Sequence, residues 1–263
     1  MTEKDIRTIV FANQKGGVGK TTSCVNIAAC AAKKGFKTLL IDCDMQGNAT
    51  SGLGIDKRNL ALSVYDVLIN RARAKDAVVS TKIKNLDLIG STISLVGAEI
   101  ELVDEQRREF RLADSIESLK NEYDLIFIDC PPSLGLLTMN ALCAADAVVV
   151  PLLCEFYSLE GLSQLTKTIR LVKQSRNVSL ELLGVLVNMY DGRLNLTMQV
   201  MDQIKRFFPQ KLFSTPIPRN VRISEAPSHG MCISDYDRYS KGSIAYSMVT
   251  DELLERAGKK AKA

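Results

Sequence analysis

The stretch Asn13-Gln14-Lys15-Gly16-Gly17-Val18-Gly19-Lys20-Thr21-Thr22 limits what this chain can become more than any other. It follows an apolar run, Thr8-Ile9-Val10-Phe11-Ala12, that reads as a buried strand. It leads into residues 23–32, which read as a helix of small side chains. Strand, glycine-rich turn and helix are the setting of a phosphate-binding loop. Gly16, Gly17 and Gly19 can take positive φ and let the backbone approach a ligand closely. Their N–H groups, with that of Val18, then point into one concavity above the positive end of the helix. Lys20 is placed to reach β- and γ-phosphates, and the Thr21 hydroxyl to bind Mg²⁺, with Thr22 beside it. A connecting glycine turn would explain the glycines but not a lysine and two hydroxyls in the first helical turn. The pattern G-x-x-x-x-G-K-[ST] asks for glycine at position 14, where Gln14 stands. The loop opens instead on a second lysine, Lys15.

Downstream, apolar runs alternate with helical patterns, which predicts an α/β fold with a mostly parallel, twisted sheet flanked by helices. Strands are expected at 37–41, 86–89, 124–129, 147–153, 182–188 and 213–217, and a polar loop at 42–54. Helices are expected at 63–69, 100–119, 135–144, 159–176, 196–208 and 243–256. No repeat or linker interrupts the series, so residues 1–263 read as one domain, with a short basic tail at 259–263 expected to be mobile. A chain of 263 residues can bury roughly three quarters of its unfolded surface. No apolar run reaches membrane-spanning length, and the first five residues carry no signal-peptide pattern, so a cytoplasmic protein is expected. The seven cysteines form no C-x-x-C pair and lie mostly in apolar segments, which reads as buried thiols rather than a metal site. A net charge of +4 is too small to announce a nucleic-acid binder, so any DNA-binding charge must be local.

Ligands of such sheets bind beyond the carboxyl ends of the strands. Asp42, Asp44 and Asp129 sit at or just past such ends. Asp129 closes an apolar strand before Cys130-Pro131-Pro132-Ser133, where a carboxylate can hold a Mg²⁺-bound water. Asp42 and Asp44, two apart, face the same side if the strand persists. A capped polar turn would explain Asp42 better than Asp44.

The loop K-G-G-V-G-K-T-T resembles that of the deviant-Walker P-loop ATPases, the family of ParA, Soj and MinD, and Lys15 stands at that family's signature lysine. The resemblance implies an ATP-driven homodimer that sandwiches two nucleotides, with each Lys15 touching the nucleotide of the other subunit. Hydrolysis by a lone subunit is then expected to be slow. The segment Asp42-Cys43-Asp44-Met45-Gln46-Gly47-Asn48-Ala49-Thr50 is similar to the family's D-x-D-P-Q-G-N-A-T, with Met45 in place of the proline. By that match Asp44 orients or deprotonates the attacking water, and Asp42 belongs to the outer shell of the metal. The match also assigns adenine recognition to Asn188 and to Pro218 and Asn220 of Ile217-Pro218-Arg219-Asn220. Asn188-Met189-Tyr190-Asp191 lacks the lysine of the guanine motif N-K-x-D, which favours ATP over GTP.

The segment from Pro218 to Gly230, with its R-I-S-E-A-P-S core, resembles the ParA/Soj partition branch. There the arginine at the place of Arg222 contributes to sequence-independent DNA binding. Arg219, Arg238 and Lys241 are close in sequence and could join it through phosphate contacts. A solvated loop explains Arg219 and Arg238 equally well. Lys167, Arg170, Lys173 and Arg176 recur on one long helix, where a solvated face is the commoner reading. His229, the only histidine, lies in a loop and is not expected to be catalytic. Glu155, Glu160 and Gly161 fit a structural or dimer-contact role. The resemblance further implies a ParB-type (Spo0J-type) centromere-binding partner that stimulates hydrolysis, and a location on the nucleoid. The alternatives are a MinD-like membrane-associated ATPase or one that positions another cargo. The first is disfavoured, because only alanines accompany the C-terminal lysines.

Overall fold

In the computed structural model, which describes residues 5–260, one seven-stranded sheet runs through the molecule. The N-terminal and C-terminal stretches assessed above for a signal peptide and a mobile tail lie partly outside the described residues, at 1–4 and 261–263. Lys259, the first residue of the expected tail, is anchored: its side chain pairs with Asp5 and its N–H donates to the Leu254 carbonyl at 2.9 Å.

The chain begins with β1 (Thr8–Phe11), α1 (Lys20–Lys33), β2 (Thr38–Asp42), α2 (Asn48–Gly52) and α3 (Val64–Leu68). It continues with β3 (Val78–Ser80), β4 (Leu86–Ile89), α4 (Leu95–Glu101), α5 (Arg111–Ile116), β5 (Leu125–Asp129) and α6 (Leu136–Ala144). Then come β6 (Ala147–Leu153), α7 (Ser158–Ser175), β7 (Glu181–Asn188), α8 (Asn195–Phe207), α9 (Val221–Glu225), α10 (Ile233–Tyr236) and α11 (Lys241–Arg256). The strand order is β3-β4-β2-β5-β1-β6-β7, and only the edge strand β3 is antiparallel to its neighbour. The α/β reading therefore holds.

The strands are apolar on both faces because helices cover both. Ile9, Phe11, Leu40 and Phe127 point to the side of α1 and α11, while Val10, Ile41, Ile126 and Ile128 point to the opposite core. Each such side chain contributes about 1.5–3 kcal/mol by leaving water. Helix α1 lies between the sheet and α11, and its alanines and cysteines are buried nearly all round. Small side chains let it sit that close, which holds the glycine-rich loop at its N-terminus in place.

Three expectations need correction. The loop at 42–54 contains α2, entered through Gly47 at φ 60°. The helix expected over 100–119 is broken: α4 ends at Glu101, Arg107 turns left-handed at φ 54°, and a 3-10 turn at Arg108–Phe110 precedes α5. The Arg107 guanidinium stacks over Phe110 and pairs with Asp114 at 3.1 Å, so local side-chain bonds outcompete the helical run. Residues 213–217 form no strand. Isolated bridges at Leu212 and Pro218 hold that segment beside β7.

Candidate active site

The sheet order puts the glycine-rich loop over the carboxyl ends of β1, β5 and β2. Asp42 and Asp129 are register partners on adjacent strands, and Phe11 of β1 is the partner of Asp129 on its other side. Two carboxylates thus come side by side beneath the loop. Gly17 and Gly19 take φ 74° and 84°, and a Cβ on Gly19 would meet Asn188 Nδ2 at 2.6 Å. Lys20, Thr21 and Thr22 form the first turn of α1, where free N–H groups favour an anion.

Lys20 is buried, and its ammonium donates to the Lys15 carbonyl at 3.0 Å. Burial pulls it below the ordinary lysine value, with Asp129 and Asp44 opposing. Asp129 is wholly buried, and neither carboxylate oxygen has a hydrogen-bond donor among the described residues. Burial, with Asp42 and Asp44 adding like charge, pushes it well above the usual carboxylate range, and the neighbouring Thr21 and Lys20 only partly offset this. An unsatisfied buried carboxylate costs several kcal/mol unless something positive compensates it. That vacancy of partners, next to a threonine hydroxyl and a lysine, fits a divalent cation held by Thr21 and Asp129. A cation there would neutralise phosphate charge.

Asp42 is differently placed. Its carboxylate accepts from the Thr50 amide at 2.8 Å, the Thr50 hydroxyl at 2.7 Å and the Asp44 amide at 3.2 Å. These bonds favour the ionised form, but burial prevails and pushes its pKa up to about 6. Being raised, this group keeps its proton in the fold while the unfolded chain has already lost it. Stability is therefore lost as pH rises from about 4 to about 6, by about 3 kcal/mol for a two-unit shift, and is level above that window. Asp42→Asn removes that slope. Denaturant unfolding of both proteins between pH 4 and 7 should show their difference changing across the window; a constant difference would contradict the assignment.

Asp44 is buried and lines the cavity across from the loop. Its carboxylate accepts from the Gln46 amide at 2.9 Å, its carbonyl from the Gly47 amide at 2.8 Å, and Lys57 braces the Gln46 carbonyl at 2.7 Å. The segment is thus pinned without the proline that Met45 replaces.

Two cavities meet at Gly19, Thr22, Met189 and Pro227. One, about 520 Å³, is lined by the loop, Lys20, Thr21, Asp44 and Pro132. The other, about 580 Å³, is lined by Asn188, Ile217, Pro218, Asn220 and Tyr246. Met189, left-handed at φ 51°, turns the chain after β7 so that the Tyr190 amide bonds the Ile217 carbonyl at 2.9 Å. This places Pro218 and Asn220 beside Asn188. The Asn188 side chain itself faces the loop, its Nδ2 donating to the Val18 carbonyl at 2.8 Å.

Lys15 pairs with Glu155, just before α7, with its side chain 45% exposed. The DNA candidates Arg219, Arg222, Arg238 and Lys241 are all exposed. Arg222 lies within 3.0 Å of Glu225 and 3.8 Å of Asp237, with its guanidinium over the Tyr236 ring, and Arg238 lies over the Tyr239 ring. Arg219 acts, with Arg193, on the charge of Asp191. The sequence reading passed over Arg193, whose signal was only the D-x-R spacing that lets it pair with Asp191 at 2.6 Å. On α7 the apolar face is buried and Lys167, Arg170 and Lys173 are exposed, while Arg176 pairs with Glu109 at 3.3 Å. His229 stacks on Tyr236, and no group of ligands suited to a metal cluster occurs among the described residues. Six of the cysteines are buried and Cys154 is half-buried.

A family model described as an AAA domain matches residues 6–182. The chain is 53% identical to the sporulation initiation inhibitor protein Soj of Bacillus subtilis, over 94% of this chain and 98% of that protein. The chain belongs to the Soj/ParA family of chromosome-partitioning ATPases. The chromosome partitioning protein ParA of Myxococcus xanthus is 50% identical, over 95% of this chain and 88% of that protein. Among solved structures, a Mycobacterium smegmatis protein described as cobyrinic acid a,c-diamide synthase, with bound ADP and magnesium, superimposes with a TM-score of 0.83. It is 37% identical, and the match covers 95% of this chain and 94% of that one. Its fold is that of a P-loop ATPase, as the glycine-rich loop over a parallel sheet requires of this member of the Soj/ParA family. No helix among the described residues is long and apolar enough to cross a membrane.

Proposed function

We propose that the chain is a DNA-segregation ATPase in which ATP binding builds a sandwich dimer that holds DNA without sequence choice, and hydrolysis releases it. The observation that carries the nucleotide part of this reading is the buried Asp129 carboxylate, without a hydrogen-bond donor among the described residues, close to Lys20 and Thr21 of the glycine-rich loop. Such a group calls for the magnesium ion of a bound nucleotide, as found with ADP in the similar M. smegmatis structure. Lys20 and the loop amides hold the phosphates, and Asp44 orients the attacking water. The base rests between Asn188, Pro218 and Asn220.

A single chain leaves Lys15 on Glu155, away from its own phosphates, which supports its use on the nucleotide of a second subunit. A lone subunit then lacks one positive charge at the reacting phosphate and turns over slowly. A ParB-type partner raises the rate. Kinship to Soj and ParA supports that partner and a place on the nucleoid, in the cytoplasm.

Arg222, with Arg219, Arg238 and Lys241, contacts DNA phosphates. Because Glu225 and Asp237 already balance Arg222, its contribution requires exchanging carboxylate for phosphate, which salt opposes strongly. Arg222→Ala should weaken DNA retention several-fold and lower the slope of log affinity against log salt by about 0.9 per lost phosphate contact. ATP-dependent dimerisation, followed by sedimentation, should persist. Loss of both properties together would assign Arg222 to the fold or the dimer.

A further inference from the structure

Helix α4 and the turns at its two ends show an apolar stripe to solvent. Ile93, Val96, Ile100 and Val103 are 69%, 39%, 71% and 52% exposed. They follow one another at spacings of three, four and three, which at about 100° per residue gathers them within roughly a quarter of the helical circumference. The backbone keeps that path beyond both ends of α4: the Val96 N–H donates to the Ile93 carbonyl at 3.1 Å, and the Val103 N–H to the Ile100 carbonyl at 3.2 Å. Leu95, Ala98 and Leu102 take the opposite side and are buried in the core. The segment thus already has its inward face, and the stripe is a second apolar face.

Its rims are acidic. Residues 93–105 include Glu99, Glu101, Asp104 and Glu105 and no lysine or arginine. The same helical period places Glu99 along one rim of the stripe, and Glu101 and Asp104 along the other. Arg71 pairs with Glu101 at 3.6 Å and Arg111 with Glu105, while Glu99 and Asp104 pair with no cation among the described residues.

We propose that this stripe is the docking surface for a partner protein, which lays on it a helical segment apolar on one face and edged with lysines or arginines. Charge decides among the occupants. A second copy of the chain would bring acidic rims against acidic rims. The same carboxylates repel nucleic acid and anionic lipid headgroups. A basic amphipathic helix covers the apolar stripe and answers both rims. The stripe rises about 15 Å from Ile93 to Val103, so about three turns of partner helix cover it.

The surface borders the phosphate cavity. A Cβ on Gly135 would meet Glu99 Oε1 at 2.8 Å, so Glu99 rests where α6 begins. Pro132, between Asp129 and Gly135, lines that cavity. A cation that engages Glu99 therefore acts beside the segment that follows Asp129.

Two fluorescent synthetic peptides of about 18 residues, long enough to form a helix, test the surface. Both carry leucines at spacings of three and four, flanked by lysines in one and by glutamates in the other. Anisotropy titrations without nucleotide, which do not depend on the ATP-driven dimer, compare wild type, Ile100→Ser and Asp104→Lys. Wild type should bind the lysine peptide at least about tenfold more tightly than the glutamate peptide. Ile100→Ser should weaken the lysine peptide at least about fivefold. Asp104→Lys should weaken it about fivefold and strengthen the glutamate peptide. Both side chains are exposed, so the variants should melt as wild type does; if Ile100→Ser does not fold, Val96→Ser takes its place. No binding of the lysine peptide, equal binding of both peptides, or binding indifferent to the substitutions would overturn the proposal. Sedimentation without nucleotide gives a second check. Monomers in wild type and Ile100→Ser alike support it, whereas a wild-type dimer that Ile100→Ser dissolves would make a second copy the occupant and overturn it.

Discussion

Lys20→Ala is expected to lower ATP hydrolysis at least about a thousandfold and to abolish the rise in melting temperature that ATP and Mg²⁺ give the wild type. The ammonium of Lys20 lies inside the loop, on the Lys15 carbonyl at 3.0 Å, among Asp129 and Asp44. The other lysine of the loop, Lys15, has its ammonium on Glu155. Without Lys20 the phosphates would face only loop amides, with two buried carboxylates close by. The protein without nucleotide should change little. The substitution removes a cation that burial disfavours and, at the same time, some compensation of Asp129, and these effects oppose each other. Melting curves with and without ATP–Mg²⁺, together with phosphate release, check both parts. A variant still stabilised by ATP would show that Lys20 is not the phosphate ligand.

Asp44→Ala should separate binding from hydrolysis. The carboxylate lines the cavity opposite the loop and has one hydrogen bond of its own, from the Gln46 amide. The turn that carries it is also held by the Gly47 amide on the Asp44 carbonyl and by Lys57 on Gln46, contacts that survive removal of the side chain. The variant should fold and bind ATP, yet hydrolyse it about 10²- to 10³-fold more slowly, the loss typical of a missing general base. If ATP closes the dimer, that dimer should accumulate in sedimentation. Near-normal turnover would move the water-orienting role to another residue.

The parts of this molecule visible in its sequence are those that local chemistry dictates. The glycines at 17 and 19, with a lysine and threonine after them, require one backbone path, and the chain follows it. The apolar strands ending in Asp42 and Asp129 place both carboxylates correctly because parallel strands share a carboxyl edge. Failures occur where tertiary contacts decide. Arg107 breaks a helical periodicity through bonds to Phe110 and Asp114 that spacing does not reveal. Residues 213–217 have the composition of a strand but make only isolated bridges. Ser23 reads in the sequence as one more residue of a helix of small side chains. The Ser23 hydroxyl meets Asn188 and Tyr246 across 165 and 223 positions of sequence, and no local signal encodes either contact. The pairing of Lys15 with Glu155 was equally invisible, although both residues stood out singly.

The central claim is that nucleotide state controls the hold on DNA. The direct measurement is retention of the full chain on double-stranded DNA of arbitrary sequence, with ATP, with ADP and with no nucleotide, across a salt series. The account predicts retention with ATP alone, without sequence preference and falling steeply as salt rises. Equal retention in all three states, or none in any, would contradict it.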